Sequence, residues 1–448
     1  MKNTKSQNSL DSRFYEKLER NYKVISPPIK NATYFNIANY TPDLNKPIQR
    51  WYRYKEGYSL ALNEKIFKEF SVTSGDIICD PFCGGGTTLL YSFLNNVKSI
   101  GFEVNPFTVL LAKAKTRFYS QQDIRELEKQ IRKINIVTPN GDSLTKPKLS
   151  FIDKVFDPEV LNLLLAQREH ILSIINNKVR ELLFLAWLSI LEDLSNYRKA
   201  GNGLKRKERI KQTALIGKEE NARYLLNTKL EIILKDLENF YGRVAKEYEP
   251  IIYNVSALDM LKYLPESSLK GVIFSPPYAN CFDYTEIYKI ELWMGSFVKE
   301  YSELKELRKV ALRSHLSAGT NRIDSKVTSQ MAELDELNEL LETLSTKGLW
   351  DKKIPLMLNG YFEDILEALN KIYNCLKPKG FCCIVVSNSA YGGVVIPTDL
   401  LIARIAEIVG FDNLRIDVAR YIITSSQQYK KTEFQKKYLR ESIIYLRK

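Results

Sequence analysis

The sequence predicts an α/β fold built on a mostly parallel sheet, with a helical insertion in the middle of the chain. Two apolar segments, 76–79 and 271–274, each lead into a tight turn, which is the arrangement found at the carboxyl edge of a parallel sheet. Strand and helix patterns alternate on both sides of a long charged stretch at 120–250. The chain has 448 residues and exceeds one ordinary domain, as a large domain with an insertion does.

The first part of the α/β domain is predicted at residues 36–119. Before it, residues 1–35 are polar and weakly periodic, so we expect a tail or an arm over the surface. Apolar residues recur at helical spacing between Leu60 and Phe70. The elements that follow are a strand at 76–79, a helix ending at Leu94, a strand at 98–102 and a helix at 106–117.

The insertion at 120–250 is predicted to be helical, because apolar residues form a stripe from Ile124 to Ile134 and a long apolar helix is expected at 179–194. Between its helices, the segment 195–211 is basic and contains a pair of glycines. Its candidates for phosphate contact are Arg198, Lys199, Lys205, Arg206 and Lys207. An ordinary solvated loop explains this charge pattern equally well.

The second part of the α/β domain is predicted at residues 251–448. A charged helical excursion at 284–350 interrupts it. Gly410 is expected to cap the preceding helix in the left-handed conformation. The predicted elements are strands at 250–255, 271–274, 381–386, 413–422 and 441–446, and helices at 258–264, 361–375 and 398–409.

The composition favours a polyanionic partner, because Lys and Arg number 66 against 53 for Asp and Glu, a formal net charge of +13. No run of 18 apolar residues occurs and the first residues lack an apolar signal core, so we expect a cytoplasmic protein that does not contact a membrane. The six cysteines show no CxxC spacing and the chain has two histidines. A structural zinc site and a disulfide framework are therefore both disfavoured.

The first tight turn is rich in glycine and lies between a strand and a helix. Gly84 and Gly86 would let the main chain approach a ligand closely. Asp80 supplies a carboxylate at the end of the strand, and Glu103 ends the next strand, where a carboxylate can accept both hydroxyl protons of a ribose. By itself Glu103 would more often be a solvated strand end. The turn reads Asp80-Pro81-Phe82-Cys83-Gly84-Gly85-Gly86-Thr87-Thr88.

The second turn, Ser275-Pro276-Pro277-Tyr278, has the chemistry needed to act on an exocyclic amine. Such an amine is a poor nucleophile because its lone pair is delocalised into the ring, and groups that accept its protons help it to attack. Ser275 Oγ and the Pro276 carbonyl are the candidate acceptors, while the two prolines hold that carbonyl rigidly. Tyr278 can stack on a base. A proline turn with a surface tyrosine is the alternative.

Together the two turns resemble those of the S-adenosylmethionine-dependent DNA amino-methyltransferases of restriction-modification systems. The resemblance implies a class I Rossmann-like methyltransferase fold, whose seven-stranded sheet is mostly parallel with an antiparallel last strand. It also implies S-adenosylmethionine as cofactor, and the segment 50–59 precedes the glycine turn as the family's tenth motif does. The cofactor-binding residues carried over from the motif are Asp80, Pro81, Phe82, Gly84, Gly86, Thr87 and Glu103. Where the family often has Gly-Asp-Ala this chain has Val255-Ser256-Ala257, so Asp259 is the candidate for the adenine contact.

The resemblance further implies duplex DNA as substrate, a cognate restriction endonuclease as partner, and the insertion at 120–250 as candidate recognition region. Ser275 favours cytosine N4, since the family's adenine enzymes more often carry Asp or Asn there. Adenine N6, an RNA amino-methyltransferase and a catalytically silent nucleic-acid-binding relative remain alternatives. Methylation of carbon 5 is disfavoured, because it needs a cysteine nucleophile that follows a proline in its family, and this chain has no Pro-Cys dipeptide.

Overall fold

A computed structural model of the chain describes residues 10, 12–27, 37–54, 56–139, 144–201, 203–208, 217–240, 242–317, 325–422 and 432–448. Its strands are β1 (Val24–Ile25), β2 (Ile77–Asp80), β3 (Lys98–Phe102), β4 (Tyr197–Ala200), β5 (Gly203–Arg206), β6 (Ile251–Tyr253), β7 (Leu269–Phe274), β8 (Leu376–Ser387), β9 (Ser389–Tyr391), β10 (Val394–Ile396), β11 (Asp412–Tyr421) and β12 (Arg440–Arg447).

Eight strands form the main sheet in the order β1-β11-β12-β8-β7-β2-β3-β6. Every neighbouring pair is parallel except those of β12, which runs antiparallel to both β11 and β8. If β1 is set aside, the remaining seven strands numbered along the chain lie in the order 3-2-1-4-5-7-6. This is the predicted class I Rossmann-like fold, with the predicted antiparallel last strand.

The helices are α1 (Ser12–Glu19), α2 (Leu60–Glu69), α3 (Thr87–Leu94), α4 (Pro106–Lys115), α5 (Gln121–Asn135), α6 (Ile152–Val155), α7 (Pro158–Leu172), α8 (Asn177–Ser189), α9 (Leu191–Leu194), α10 (Lys218–Phe240), α11 (Tyr284–Ile287), α12 (Lys289–Met294), α13 (Tyr301–Val310), α14 (Ser325–Met331), α15 (Asp335–Ser345), α16 (Ile354–Cys375) and α17 (Thr398–Val409). Over the part of the chain that the structure describes, none of them is long and apolar enough to span a bilayer.

Local chemistry sets the ends of the helices that flank the site. Asn105 begins α4 by accepting a hydrogen bond from the Phe107 N–H at 3.0 Å, with Pro106 in the first turn. As predicted, α17 ends at Gly410, whose φ of 111° is in the left-handed region. The Asn105 cap holds β3 and α4 in a fixed relation at the edge of the sheet where the glycine turn lies.

The N-terminal segment corrects one expectation, since residues 12–27 are part of the folded domain and are not a tail. Tyr15 on α1 is fully buried, stacks on Tyr438 with ring centroids 4.8 Å apart, and donates a hydrogen bond to the Val395 carbonyl at 2.9 Å. The strand β1 then pairs with β11. A polar helix of eight residues with two buried side chains is too short to distinguish from a surface segment by its sequence. The rest of the predicted tail, 1–9, 11 and 28–35, lies outside the described residues.

The insertion is helical as predicted, and it shares its hydrophobic core with the α/β domain. Its buried Trp187 belongs to the same apolar cluster as Trp51 and as Phe107 of α4. Asp236 of α10, fully buried, accepts hydrogen bonds from the Ile48 N–H at 2.9 Å, from Arg50 Nε at 3.1 Å and from Trp51 Nε1 at 2.9 Å. The insertion therefore holds the segment that leads into the site.

The basic segment of the insertion is a β-hairpin, where a loop was predicted. Strands β4 and β5 pair antiparallel and place Arg198 opposite Lys205. Gly201, at the turn, has a φ of 58°, which glycine adopts without strain. Pairing of two short polar strands has no apolar alternation to reveal it in the sequence. The end of the predicted basic segment, 209–211, lies outside the described residues.

Candidate active site

A cavity of about 310 Å³ opens at the carboxyl ends of β2, β3 and β7, the edge where both predicted turns lie. It is lined by residues of the segment 54–58, of both turns, and of the segment around α11 and α13. The predicted site residues that line it are Asp80, Pro81, Phe82, Gly84, Thr87, Glu103, Ser275, Pro277 and Tyr278. The structure therefore brings the two turns, almost 200 positions apart in sequence, to one cavity.

The two glycines of the first turn are needed for different reasons. Gly84 lines the cavity with a φ of 45°, and a Cβ built there would lie 2.8 Å from the Tyr54 hydroxyl. Gly86 lies outside the lining, contrary to its predicted ligand contact. Its φ is 77° and a Cβ there would lie 2.9 Å from that of Ala112 on α4. Gly86 thus allows α3 and α4 to pack closely, while the absence of a side chain at Gly84 leaves room for the Tyr54 hydroxyl.

Asp80 ends β2 as a buried carboxyl group with two partners. Its Oδ2 accepts a hydrogen bond from the Tyr58 hydroxyl at 3.1 Å, and its Oδ1 accepts one from the Phe82 N–H at 3.1 Å. Burial, the dominant cause, raises the pKa of Asp80 to about 7. The cavity thus contains a carboxyl group whose charge changes close to neutral pH.

Glu103 faces the glycine turn from the end of β3. Its Oε2 accepts a hydrogen bond from the Gly84 N–H at 2.9 Å, and its Oε1 accepts one from the Asn105 N–H at 2.8 Å. Burial raises the pKa of this carboxyl group. Each oxygen has a second lone pair for a further donor, so the carboxylate can accept two hydroxyl protons while the backbone holds it in place.

Lys115 supports the glycine turn through a hydrogen bond to its backbone. This residue was not predicted from the sequence. Its Nζ donates to the Gly85 carbonyl at 2.9 Å, and the side chain is almost fully buried in the last turn of α4. Burial lowers the pKa of Lys115 to about 7. The available signal was a lysine in the last turn of the apolar helix α4, which follows the strand after the glycine turn.

An aromatic wall closes the cavity on the side of the segment 54–58. Tyr54 and Tyr288 stack with centroids 5.6 Å apart and ring planes 9° from parallel, and the Tyr288 hydroxyl donates to Glu56. The segment that precedes the glycine turn therefore does line the cavity, as its position in the sequence suggested. Tyr288, on the opposite part of the wall, carried no recognisable motif.

The second turn is held by side chains from the far end of the chain. Ser275 Oγ donates to the Tyr278 hydroxyl at 3.4 Å, and that hydroxyl donates to Glu441 Oε1 at 2.8 Å. The other oxygen of Glu441 accepts from Arg420 Nε at 2.5 Å. Burial raises the pKa of both Tyr278 and Glu441. Pro276, a predicted catalytic residue, is not among the residues lining the cavity.

The backbone beyond Tyr278 is fixed by β9. The Ala279 carbonyl accepts hydrogen bonds from Ser389 Oγ at 2.6 Å and from the Tyr391 hydroxyl at 3.0 Å. Cys281 has a φ of 60°, an uncommon conformation for a residue with a side chain. Together with Tyr278 these contacts clamp the turn on both sides, so its acceptor atoms are held in place before any substrate binds.

The chain was compared with known proteins. Residues 4–114 match the family model of the N6 and N4 methyltransferases, described as DNA methylase. The type II methyltransferase M.BsoBI of Geobacillus stearothermophilus is 28% identical over 442 residues, covering 89% of this chain and 85% of that protein. M.AvaI of Nostoc sp. is 26% identical over 427 residues, covering 90% and 86%. M.MvaI of Kocuria varians is 21% identical over 346 residues, covering 73% of each.

The chain is similar to the N6 and N4 DNA methylases and to type II methyltransferases. The match covers the glycine turn, and the similarity to type II methyltransferases extends over most of the chain. These similarities support a DNA methyltransferase of the type II kind, as the two turns predicted.

One predicted cofactor residue of the methyltransferase is misplaced. Asp259 is not among the lining residues, and its Oδ1 pairs with Lys262 Nζ at 2.6 Å. The chain enters a 3-10 helix at Ala257, capped by Ser256, and this turn carries Asp259 away from the cavity. Val255, Ser256 and Ala257 line the cavity in its place, so the turn itself and not the following acid faces the site.

Two of the five basic residues assigned to phosphate contact have internal roles in the methyltransferase. Lys199 is buried, and its Nζ donates to the Tyr52 hydroxyl at 2.7 Å and to Glu291. Lys207 Nζ donates to the Glu192 carbonyl at 2.7 Å and to that of Asp193 at 3.0 Å. Both predictions were wrong because charge runs do not reveal which side chains turn inward.

The other three basic residues, Arg198, Lys205 and Arg206, are exposed, with no ion-pair partner among the described residues. The hairpin that carries them is anchored at the site, since Lys199 Nζ also lies 4.9 Å from the ring centroid of Tyr288 in the aromatic wall. The methyltransferase therefore displays three cations on a rigid hairpin beside its cavity.

A last group near the cavity comes from the excursion after α11. Asp283 Oδ1 caps α11 through the Thr285 N–H at 2.9 Å, and Asp283 Oδ2 pairs with Arg308 Nε at 2.8 Å. His315 lines the cavity and is buried, which lowers its pKa. Among the described residues, no cluster of three or more His, Cys, Asp or Glu side chains could hold a metal ion.

Proposed function

We propose that this methyltransferase transfers a methyl group from S-adenosylmethionine to the exocyclic N4 of cytosine in duplex DNA. The observation that carries the proposal is that Ser275, at the head of the catalytic turn, lines the same cavity as Asp80 and Glu103. A hydroxyl in place of a carboxylate at that position is the feature that favours cytosine over adenine.

The residues present fit the cofactor. S-adenosylmethionine combines a cationic sulfonium, a zwitterionic tail and an adenosine, and when bound it supplies an electrophilic methyl group. Glu103 offers a second lone pair on each oxygen to the ribose hydroxyls, held by the N–H groups of Gly84 and Asn105. Asp80 offers a carboxylate to the cationic part. The cavity of about 310 Å³ is in the usual range of small-molecule sites.

The catalytic turn would act on a base that has left the duplex. Ser275 Oγ accepts a proton of the amine, and the Tyr278 ring stacks on the base. Stacking of this kind contributes about 1 to 3 kcal/mol per base, comparable to the cost of unpairing. Because β9 and Glu441 fix the turn, little reorganisation is needed when the base enters.

The duplex itself would be held partly by the β4–β5 hairpin. Arg198, Lys205 and Arg206 are exposed beside the aromatic wall, where they can contact phosphates flanking the extruded base. The formal net charge of +13 supports association with a polyanion. We also propose a cognate restriction endonuclease as functional partner, because relatives that match most of the chain are named type II methyltransferases.

The product decides the proposal. DNA methylated by the purified protein is digested to nucleosides and analysed by mass spectrometry, with the Ser275→Ala variant as control. We expect N4-methylcytosine, absent from the control. N6-methyladenine would overturn the base assignment and keep the reaction class. 5-Methylcytosine, or methylation confined to RNA, would show that the catalytic turn or its substrate has been misread.

A further inference from the structure

We propose that Glu441 is a positioning residue which, through Tyr278, makes Ser275 a hydrogen-bond acceptor toward the target amine and receives the proton that the amine releases. The inference rests on the proposed function and deepens it. It assigns a role in the reaction to a strand, β12, that carries no recognised motif and lies 163 positions from the turn that it serves.

Glu441 is needed because a serine hydroxyl can either donate or accept a hydrogen bond. A carboxylate can only accept hydrogen bonds, whereas a hydroxyl can accept or donate, and its proton rotates to suit its neighbours. If the Ser275 proton pointed at the amine, it would compete with the amine protons and oppose the attack. A serine in this position therefore needs a neighbour that takes up its proton.

The chain of hydrogen bonds fixes the direction of that proton. An ionised Glu441 has no proton, so in their 2.8 Å contact Tyr278 must be the donor. The tyrosine has a single proton, so toward Ser275 it can only accept, across 3.4 Å. The serine proton is thereby directed to Tyr278, and the Ser275 lone pairs are left for the amine.

The carboxylate has a cationic partner that favours its ionised form against the effect of burial. Arg420 of β11 contacts Glu441 Oε2 at 2.5 Å, which leaves Oε1 for Tyr278. Glu441 is 3% exposed and lines the cavity. Among the described residues, the charged or titratable groups that bond to it are Arg420 and Tyr278, and the residue opposite it on β8 is the neutral Ser387.

The same chain provides a route for the proton. When the amine nitrogen bonds to the methyl carbon, the carbon–sulfur bond breaks with its electron pair on sulfur, and the nitrogen is left positive with one proton too many. That proton passes to Ser275 Oγ, the serine proton passes to the Tyr278 oxygen, and the tyrosine proton passes to Glu441. The nitrogen and Glu441 both become neutral, and Glu441 returns its proton to water in the cavity before the next turnover.

The pH dependence of the reaction follows with a definite sign. Glu441 can serve only while it is ionised, so the single-turnover rate falls as pH drops through its pKa. Burial raises that pKa above the usual value of a glutamate, so the fall comes at a higher pH than for an exposed one. Saturating cofactor is needed in the assay, because Asp80 also titrates in the cavity.

The test compares Glu441→Gln with a matched control, Glu19→Gln. Like Glu441, Glu19 pairs with an arginine, since it accepts a hydrogen bond from Arg440 of β12 at 2.6 Å. Glu19 lies outside the cavity. The glutamine keeps an acceptor for Tyr278 and cannot take up a proton. We expect Glu441→Gln to lower the single-turnover rate by about 10²-fold at pH 8. It should also abolish the fall of the rate at low pH, which is the acid limb of the pH–rate profile. Glu19→Gln should keep both, and Glu441→Asp should restore the acid limb.

Two measurements besides activity complete the test. Calorimetry should show unchanged affinity for S-adenosylmethionine in Glu441→Gln. Carbon-13 NMR of protein labelled at the glutamate carboxyls, compared with Glu441→Gln, should show Glu441 titrating at the midpoint of the acid limb. If Glu441→Gln keeps the wild-type rate and acid limb, or loses no more than Glu19→Gln, the inference is overturned. If the wild type itself methylates no DNA, the proposed function fails instead.

Discussion

The two turns that meet at the cavity are supported in opposite ways. The glycine turn is held by its neighbours in sequence, since Glu103 accepts from Gly84 across 19 positions and Lys115 donates to Gly85 across 30. The catalytic turn is held from far away, by Glu441 across 163 positions and by Ser389 across 110. A binding turn made by one βαβ unit can be recognised from a contiguous stretch, whereas a turn that must orient a proton acceptor draws on the whole sheet.

This difference implies that damage to the glycine turn should impair binding, and damage to the catalytic turn should impair turnover. The largest effect on cofactor affinity is expected for Gly84→Trp, because a side chain there collides with Tyr54 and fills the cavity. Calorimetry should show affinity for S-adenosylmethionine reduced at least about 100-fold, or about 3 kcal/mol. Gly75→Trp is the control, since Gly75 is exposed with open space around it. Undiminished binding by Gly84→Trp would place the cofactor elsewhere.

The complementary change is made in the catalytic turn. Ser275→Ala removes the acceptor for the amine proton and should lower the methyl-transfer rate by about 10² to 10³-fold, as removal of one preorganised hydrogen bond does in other enzymes. Tyr278→Ala should have a similar effect, because it removes both the stacking ring and the bridge to Glu441. Cofactor affinity should stay within about twofold of the wild type by calorimetry. Equal losses of binding and rate would erase the distinction between the turns.

The β4–β5 hairpin allows a second comparison, between two lysines six positions apart. The Lys199 side chain is 7% exposed, whereas Lys205 is exposed. Lys199→Met leaves Glu291 buried without its partner and should lower the free energy of unfolding by about 3 to 5 kcal/mol, measured by denaturant titration. The double change Lys205→Glu and Arg206→Glu should leave stability unchanged. It should instead weaken DNA binding and reduce the salt slope by about 0.9 for each phosphate that the protein no longer neutralises. If the dependence of DNA affinity on salt concentration is unaltered, the hairpin is an ordinary solvated surface and does not contact phosphates.

The smallest effect concerns pH. Asp80 has a pKa of about 7 in the folded protein and about 3.9 when unfolded, so the folded state holds its proton more tightly. The free energy of unfolding of the ligand-free protein should therefore fall as pH rises from about 4 to 7, and Asp80→Asn should remove that contribution. Because the ionised form suits a cationic cofactor, affinity should rise about tenfold between pH 6 and 8. Asp76→Asn, at the exposed start of β2, should keep both dependences.

Much of the fold could be predicted because its signals are local. The strand at 98–102 and the helix at 398–409 have the predicted bounds, and Gly410 caps the latter as expected. Apolar runs bounded by turn residues specify such elements directly. The short α1 and the polar β4–β5 hairpin escaped, since their stability comes from contacts with distant residues such as Tyr438 and Glu291.

The residues of the site show the same contrast between local signals and contacts with distant residues. Residues next to the glycine turn were identified, since a strand, a turn and a helix place them without help from elsewhere. Glu441 and Arg420 could not be, because only the antiparallel insertion of β12 beside β8 brings them to Tyr278. Asp259 failed for a subtler reason, a single 3-10 turn that rotates one side chain out of reach. Periodicity predicts which face a residue occupies in regular elements and is silent at such turns.

The hydrogen bonds to Asp236 bear on whether the insertion can be exchanged between relatives. A graft that replaced the whole insertion would remove the one acceptor shared by the Ile48 N–H, Arg50 and Trp51, and with it the support of the segment that builds the aromatic wall. The insertion and the segment that builds the aromatic wall are therefore not separable modules in this chain. A working chimera would have to carry the segment 48–54 with the insertion, or preserve an aspartate at the position of Asp236.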